Sequence, residues 1–167
     1  MNPAAAASRH DAFDDQGEHA ERARREFLTC TLGGETYGID ILKVQEIREL
    51  EHVTRVPRVA HFVRGVVNLR GAIVPIIDLG LMFGFPEPMK LEGSSAIVLN
   101  VDGRLVGLAV SGVSDVIALA EDEIVPAPDL GDRPIAAAID GIGMRDGLSV
   151  PLLDVNRILS RVRAERQ

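Results

Sequence analysis

The sequence predicts an all-β chain of two similar five-stranded barrels followed by a C-terminal helix. Three observations lead there. From about residue 26 to residue 153, short Val-, Ile- and Leu-rich runs alternate with Gly- and Asp-containing turns, the pattern of a small barrel with tight connections. Aromatic residues make up only 4% of the chain and Trp is absent, so the core must be built from aliphatic side chains. Finally, one half of the pattern recurs in the other. YGIDILKVQEI aligns with VGLAVSGVSDV, matching Gly38 to Gly107, Val44 to Val113, Glu46 to Asp115 and Ile47 to Val116. GVVNLRGAIVPIIDL aligns with GIGMRDGLSVPLLDV, matching Gly65 to Gly141, Gly71 to Gly147, Pro75 to Pro151 and Asp78 to Asp154. Chance likeness between Val-rich strands explains the apolar matches but not Gly, Pro and acidic residues falling in one order.

Taken in order, residues 1–25 are Ala-rich and charged with a single Phe, too little apolar surface to offset the entropy of ordering, and read as a disordered tail. FLTCTL, the turn Gly33-Gly34 and TYGIDI form a hairpin. The next run has ambiguous periodicity; a helical turn at residues 41–43 followed by a strand fits it best. Arg64 to Leu79 is two strands joined at Arg70-Gly71, with Pro75 marking an edge strand or a bulge because proline has no N–H for a ladder. Leu79, Met82 and Phe83 share one face of a helical turn. Residues 84–94, with two Pro and two Gly before Ser94, read as the connector between subdomains. SAIVLNV, the turn Asp102-Gly103, RLVGLAV and VSDVIAL are strands, and residues 124–133 a loop. IAAAIDGIGM, the turn Asp146-Gly147 and LSVPLLDV complete the second copy. Asp154 caps a helix with Val155, Ile158, Leu159 and Val162 on one face. The expected division is a tail at 1–25, subdomains at about 26–83 and 94–153, and a helix at about 154–163, with a groove between the barrels.

The net charge of −7 argues against a general nucleic-acid binder. One Cys allows no internal disulfide. No apolar run reaches the roughly 18–20 residues that span a bilayer, and the N-terminus lacks the pattern of a secretory signal, so the expected location is cytoplasmic. The four His have no metal-ligand spacing, Cys30 has no neighbouring base, and no phosphate-loop, dinucleotide or nucleophile-elbow motif occurs. No catalytic, metal or cofactor site is expected. Asp78 and Asp154 are duplicated, which points to helix capping; the equally duplicated Glu46 and Asp115 read as exposed acids. Arg70 differs, because its counterpart is Asp146 and the repeat does not demand arginine there. Two roles stay open for it: a partner anchor, or a solvated or internally paired turn residue.

From residue 26 to about residue 159 these motifs resemble the CheW family of bacterial chemotaxis coupling proteins, most specifically in FVRGVVNLRGAIVPIIDL, with support from EFLTCTLGGETYGIDILKVQEIRE and AIVLNVDGRLVGLAVSGVSDVIAL. The resemblance implies two SH3-like barrels and a non-enzymatic adaptor. Such an adaptor bridges the cytoplasmic tips of transmembrane chemoreceptors and the C-terminal regulatory domain of the histidine kinase CheA, in arrays at the inner membrane. It places Val44, Glu46, Gly65, Arg70 and Gly71 at positions linked to receptor or kinase coupling, and Val113 and Val116 in the inter-barrel groove that takes the receptor tip. Ser111, where Asp is common, and Gly80, where Arg is usual, depart from the family pattern. The length leaves no room for kinase or receiver domains, so a stand-alone coupling protein is expected. The competing reading is a β-barrel small-ligand-binding module, against which the lack of a convergent polar site counts.

Overall fold

The computed structural model of the protein describes residues 24–166. The expected N-terminal tail lies outside the described residues except at its end, where Arg25 already opens the first strand.

The described chain is mostly β. Hairpin β1 (Arg25–Leu32) and β2 (Glu35–Asp40) leads through a 3-10 turn at Ile41–Lys43 into β3 (Val44–Glu49). β4 (Val63–Leu69) and β5 (Ala72–Asp78) follow, then a single helical turn α1 (Leu79–Met82). The second half runs β6 (Ser95–Val101), β7 (Arg104–Val110), β8 (Gly112–Leu119), β9 (Ile124–Pro126), α2 (Pro134–Ala138), β10 (Ile139–Arg145), β11 (Leu148–Leu153) and α3 (Val155–Arg166). At each of the four hairpin turns both central residues have positive φ, Gly33-Gly34, Arg70-Gly71, Asp102-Gly103 and Asp146-Gly147, as a tight two-residue turn between twisted strands requires. Asn68 and Asn100 Oδ1 accept from the amides of Gly71 and Gly103, fixing two of these turns.

The strands assemble into two sheets, ordered β8-β1-β2-β11-β10-β9 and β3-β6-β7-β5-β4. Two barrel-like units are therefore present, but they do not follow the expected boundary between residues 83 and 94. Each takes one hairpin from the other half of the chain: β1–β2 joins β8–β11, and β6–β7 joins β3–β5. The parallel pairings make the exchange. Gly38 of β2 lies opposite Leu152 of β11, and Gly107 of β7 opposite Ile76 of β5. A Cβ at Gly38 would sit 2.8 Å from Leu152 Cδ2, and one at Gly107 would sit 2.7 Å from Ile76 Cδ1, so the duplicated glycines make room for the crossing strands.

The repeat also accounts for the bulges. β3 carries an extra residue between Val44 and Glu46 against β6, and β8 carries one after Val113 against β1. β4 and β10 are bulged between Val63 and Gly65 and between Ile139 and Gly141. Each sheet closes through its first strand. Past β3 the chain bends so that Thr54 pairs with Val66 of β4, and past β8 a 3-10 turn leads into β9, which pairs with β10. β9 and α2 are corrections to the expected loop and strand. β9 is only three residues and ends in Pro126, and Pro134, at the first position of α2, starts a helix where the apolar run reads as extended.

Pro75 is a further correction: β5 is neither an edge strand nor bulged itself. Val66 directs its own N–H and C=O to Thr54, so its pairing with Pro75 across β4–β5 needs no donor from the proline. The parallel ladder to β7 begins one residue later, at Ile76. The missing N–H therefore falls where neither neighbour needs it.

The core is continuous across both sheets. Leu28, Cys30 and Ile39 of one meet Ile77, Leu99 and Leu108 of the other, and α3 adds Val155, Ile158, Leu159 and Val162 on the face expected from its periodicity. Phe85 fastens the tip of β1–β2 to α1. Its ring lies where a Cβ at Gly33 or Gly80 would stand, at 2.5 and 2.9 Å. Any larger side chain at position 80 would have to displace that ring.

Candidate functional site

The sequence-predicted residues fall into three groups. The first is on the five-stranded unit. Arg70 occupies the β4–β5 turn in the left-handed region, at φ 50°. Its Nη1 donates to Glu46 Oε2 at 2.6 Å, joining that turn to β3 across the sheet's two edges. Arg48 stands 3.8 Å from the other Glu46 oxygen. The Arg70 side chain is 70% exposed. An ion pair this wet contributes on the order of 0.2–1 kcal/mol to stability, so it orients the guanidinium more than it holds the fold. Val44, two residues before Glu46, is half-buried against the central core. Gly71, at φ 90°, has open space around it, so its role is the turn's backbone conformation.

Gly65 stands apart as the second group. A Cβ there would overlap the Thr54 carbonyl oxygen, and its φ is 147°. A Cβ at its counterpart Gly141 would stand 3.0 Å from the Val125 carbonyl oxygen. Glycine at this place admits the strand that closes each sheet, and its first role is architectural.

The third group, Val113 and Val116, lies on β8, an edge strand of the six-stranded sheet. Val113 packs against the same central core as Val44, while Val116 is 46% exposed. The structure reveals a partner for this pattern that the sequence reading left out. Ile47, matched to Val116 by the repeat, is also exposed, on the equivalent edge strand β3. Both edge strands thus carry a half-buried Val and, three residues on, a solvent-facing aliphatic side chain. Leu42, at the 3-10 turn beside them, is 86% exposed. The repeat matching Ile47 to Val116 was the available signal for the first; nothing in the sequence marks Leu42 beyond an apolar residue at a turn.

The acids behave as caps where that was expected. Asp78 Oδ1 accepts from Leu81 N at 3.0 Å and Asp154 Oδ1 from Arg157 N at 3.1 Å. Asp78 is almost fully buried and its other oxygen accepts from Arg64 Nη1 and Met89 N. Asp115 uses its backbone, exchanging hydrogen bonds with Thr29 Oγ1. Cys30 lies in the core, where burial pushes its thiol up to about 12, away from nucleophilic use near neutrality. Among the described residues no three His, Cys, Asp or Glu side chains cluster as metal ligands, and no helix is long and apolar enough to cross a membrane.

Comparison with known proteins fits this arrangement. The family described as CheW-like domain matches residues 26–163. The chemotaxis protein CheW of Klebsiella aerogenes is 45% identical over 140 residues, covering 84% of each chain. That of Rhizobium meliloti is 29% identical over 141 residues, covering 84% of this chain and 91% of its own. The crystal structure of the scaffolding protein TtCheW from Thermoanaerobacter tengcongensis superposes with a TM-score of 0.71 at 32% identity, covering 78% of this chain and 88% of that one.

Proposed function

Because the chain belongs to the CheW-like family, whose members are non-enzymatic scaffold proteins of chemotaxis, we propose that it couples chemoreceptors to the histidine kinase CheA. In this reading the cytoplasmic tip of a receptor lies along the exposed aliphatic positions of the edge strands, Ile47 and Val116, with Val44 and Val113 beneath. Arg70, held outward by Glu46, meets an acidic group at the rim. The CheA regulatory domain docks barrel to barrel elsewhere on the surface, and the complex gathers in arrays at the inner membrane.

The observation that supports this most is that two repeat-equivalent edge strands, β3 and β8, each carry an exposed aliphatic side chain, Ile47 and Val116, three residues after a half-buried Val. An amphipathic helix laid across them would cover both aliphatic side chains. Co-precipitation with a purified CheA regulatory domain and with a receptor-tip fragment tests the reading. Retention of both, and their joining into one complex only when this chain is added, is the expected result. Failure to retain either partner refutes it.

A further inference from the structure

Between Glu51 and Asp78 the sequence holds Arg55, Arg58, Arg64 and Arg70 and not one acidic residue, in a chain whose net charge is −7. Two of these charges are matched: Arg64 by Asp78 at 2.9 Å and Arg70 by Glu46. Arg55 and Arg58 have no carboxylate partner among the described residues. They stand on the rim of an open cleft between the β3–β4 connection, α1 and the 84–94 connector. Its apolar lining includes Val56, Val59, Leu81 and Leu91, and no carboxylate lines it. Val56 and Val59 are exposed. The rim is also conformationally selected. Pro57 precedes Arg58, whose φ is 63°, at a turn position that ordinarily takes Gly or Asn. A non-glycine residue in that region costs on the order of 1 kcal/mol, and here the residue held there is a charged one facing solvent.

We propose that this cleft docks an acidic peptide segment of a protein partner, with carboxylates on Arg55 and Arg58 and one apolar side chain between Val56 and Val59. The lining holds no Phe, Tyr or Trp, and its aliphatic side chains select an apolar anchor that a bare anion lacks. The cleft's lining includes neither Val116 nor the Arg70–Glu46 pair, and the proposal does not rest on the coupling reading.

The test uses the full chain and two fluorescent twelve-residue peptides built around one central Leu, one with four Glu and one with four Lys in their place. In anisotropy titrations the Glu peptide is expected to bind at least roughly tenfold more tightly than its Lys twin. The preference should reverse in the Arg55→Glu/Arg58→Glu variant, and Val59→Asp should weaken the Glu peptide while circular dichroism stays unchanged. Equal binding of the twins, no saturation up to millimolar peptide, or a preference untouched by charge reversal overturns the proposal. So does binding that appears only after residues 1–23 are deleted, which would assign the cleft to the chain's own Asp11–Asp15 segment.

Discussion

At the scale of single residues, the two glycines beside Arg70 and Thr54 separate turn chemistry from packing. Gly65→Ala should cost several kcal/mol, because its Cβ meets backbone that has no room to yield. Gly71→Ala should cost about 1 kcal/mol, because only its positive φ is at stake. Urea denaturation of the two variants measures the difference; equal losses would show that Gly65 is not held by contact with Thr54. Arg70→Asp should abolish receptor-dependent kinase activation in a reconstituted mixture while shifting stability by no more than about 1 kcal/mol, since its ion pair is exposed. Val44→Met should impair receptor binding more than kinase binding, read in parallel pull-downs. Burial also gives the fold an alkaline limit. Desolvation raises Cys30 from 9.0 to about 12, and Tyr37 is raised from 10.0 first by desolvation and then by the nearby Glu35 and Cys30. Both groups hold protons in the folded chain that the unfolded chain releases, so their stabilising effect is complete below pH 9 and is lost as pH rises toward 12. Denaturation midpoints should therefore fall above pH 9, and less steeply in Cys30→Ala once its lower starting stability is subtracted. The sequence made Arg70 conspicuous through its mismatch with Asp146, but its partner Glu46 was not legible, because it lies 24 positions away across a closure that local patterns do not encode.

At the scale of elements, the strands and their turns were legible because the signals are local. The 3-10 turn at Ile41–Lys43, the limits of β6 and β7 and the apolar face of α3 all follow from side-chain periodicity and turn residues. β9 was missed because three residues ending in proline carry no periodicity. Its counterpart in the other unit is a single bridge at Thr54, so the repeat could not point to it either. The crossing of β2 with β11 and of β7 with β5 yields a paired expectation. Gly38→Val and Gly107→Val should destabilise by similar amounts, about 1–3 kcal/mol or more, since each pushes a branched side chain into an aliphatic one across a parallel ladder. A large loss at one site and none at the other, in thermal melts, would break the equivalence of the two crossings.

At the scale of the whole molecule, local patterns established that there are two copies but not that each would lend a hairpin to the other. That choice is made by long-range pairing, and the sequence bears its trace only in Gly38 and Gly107. It follows that neither half can complete a barrel alone. Fragments 1–92 and 93–167 should each lack the cooperative melt of the intact chain and recover it when mixed, as followed by circular dichroism; a fragment that folds unaided would contradict the exchange. The chain passes between the two units twice, through the three-residue turn at Ile41–Lys43 and through Ser111 alone between β7 and β8. Two short crossings and one continuous core join the units. A force applied to a body on one barrel therefore has to pass through close-packed side chains to reach a body on the other, so the compliance of the joint is that of the core itself.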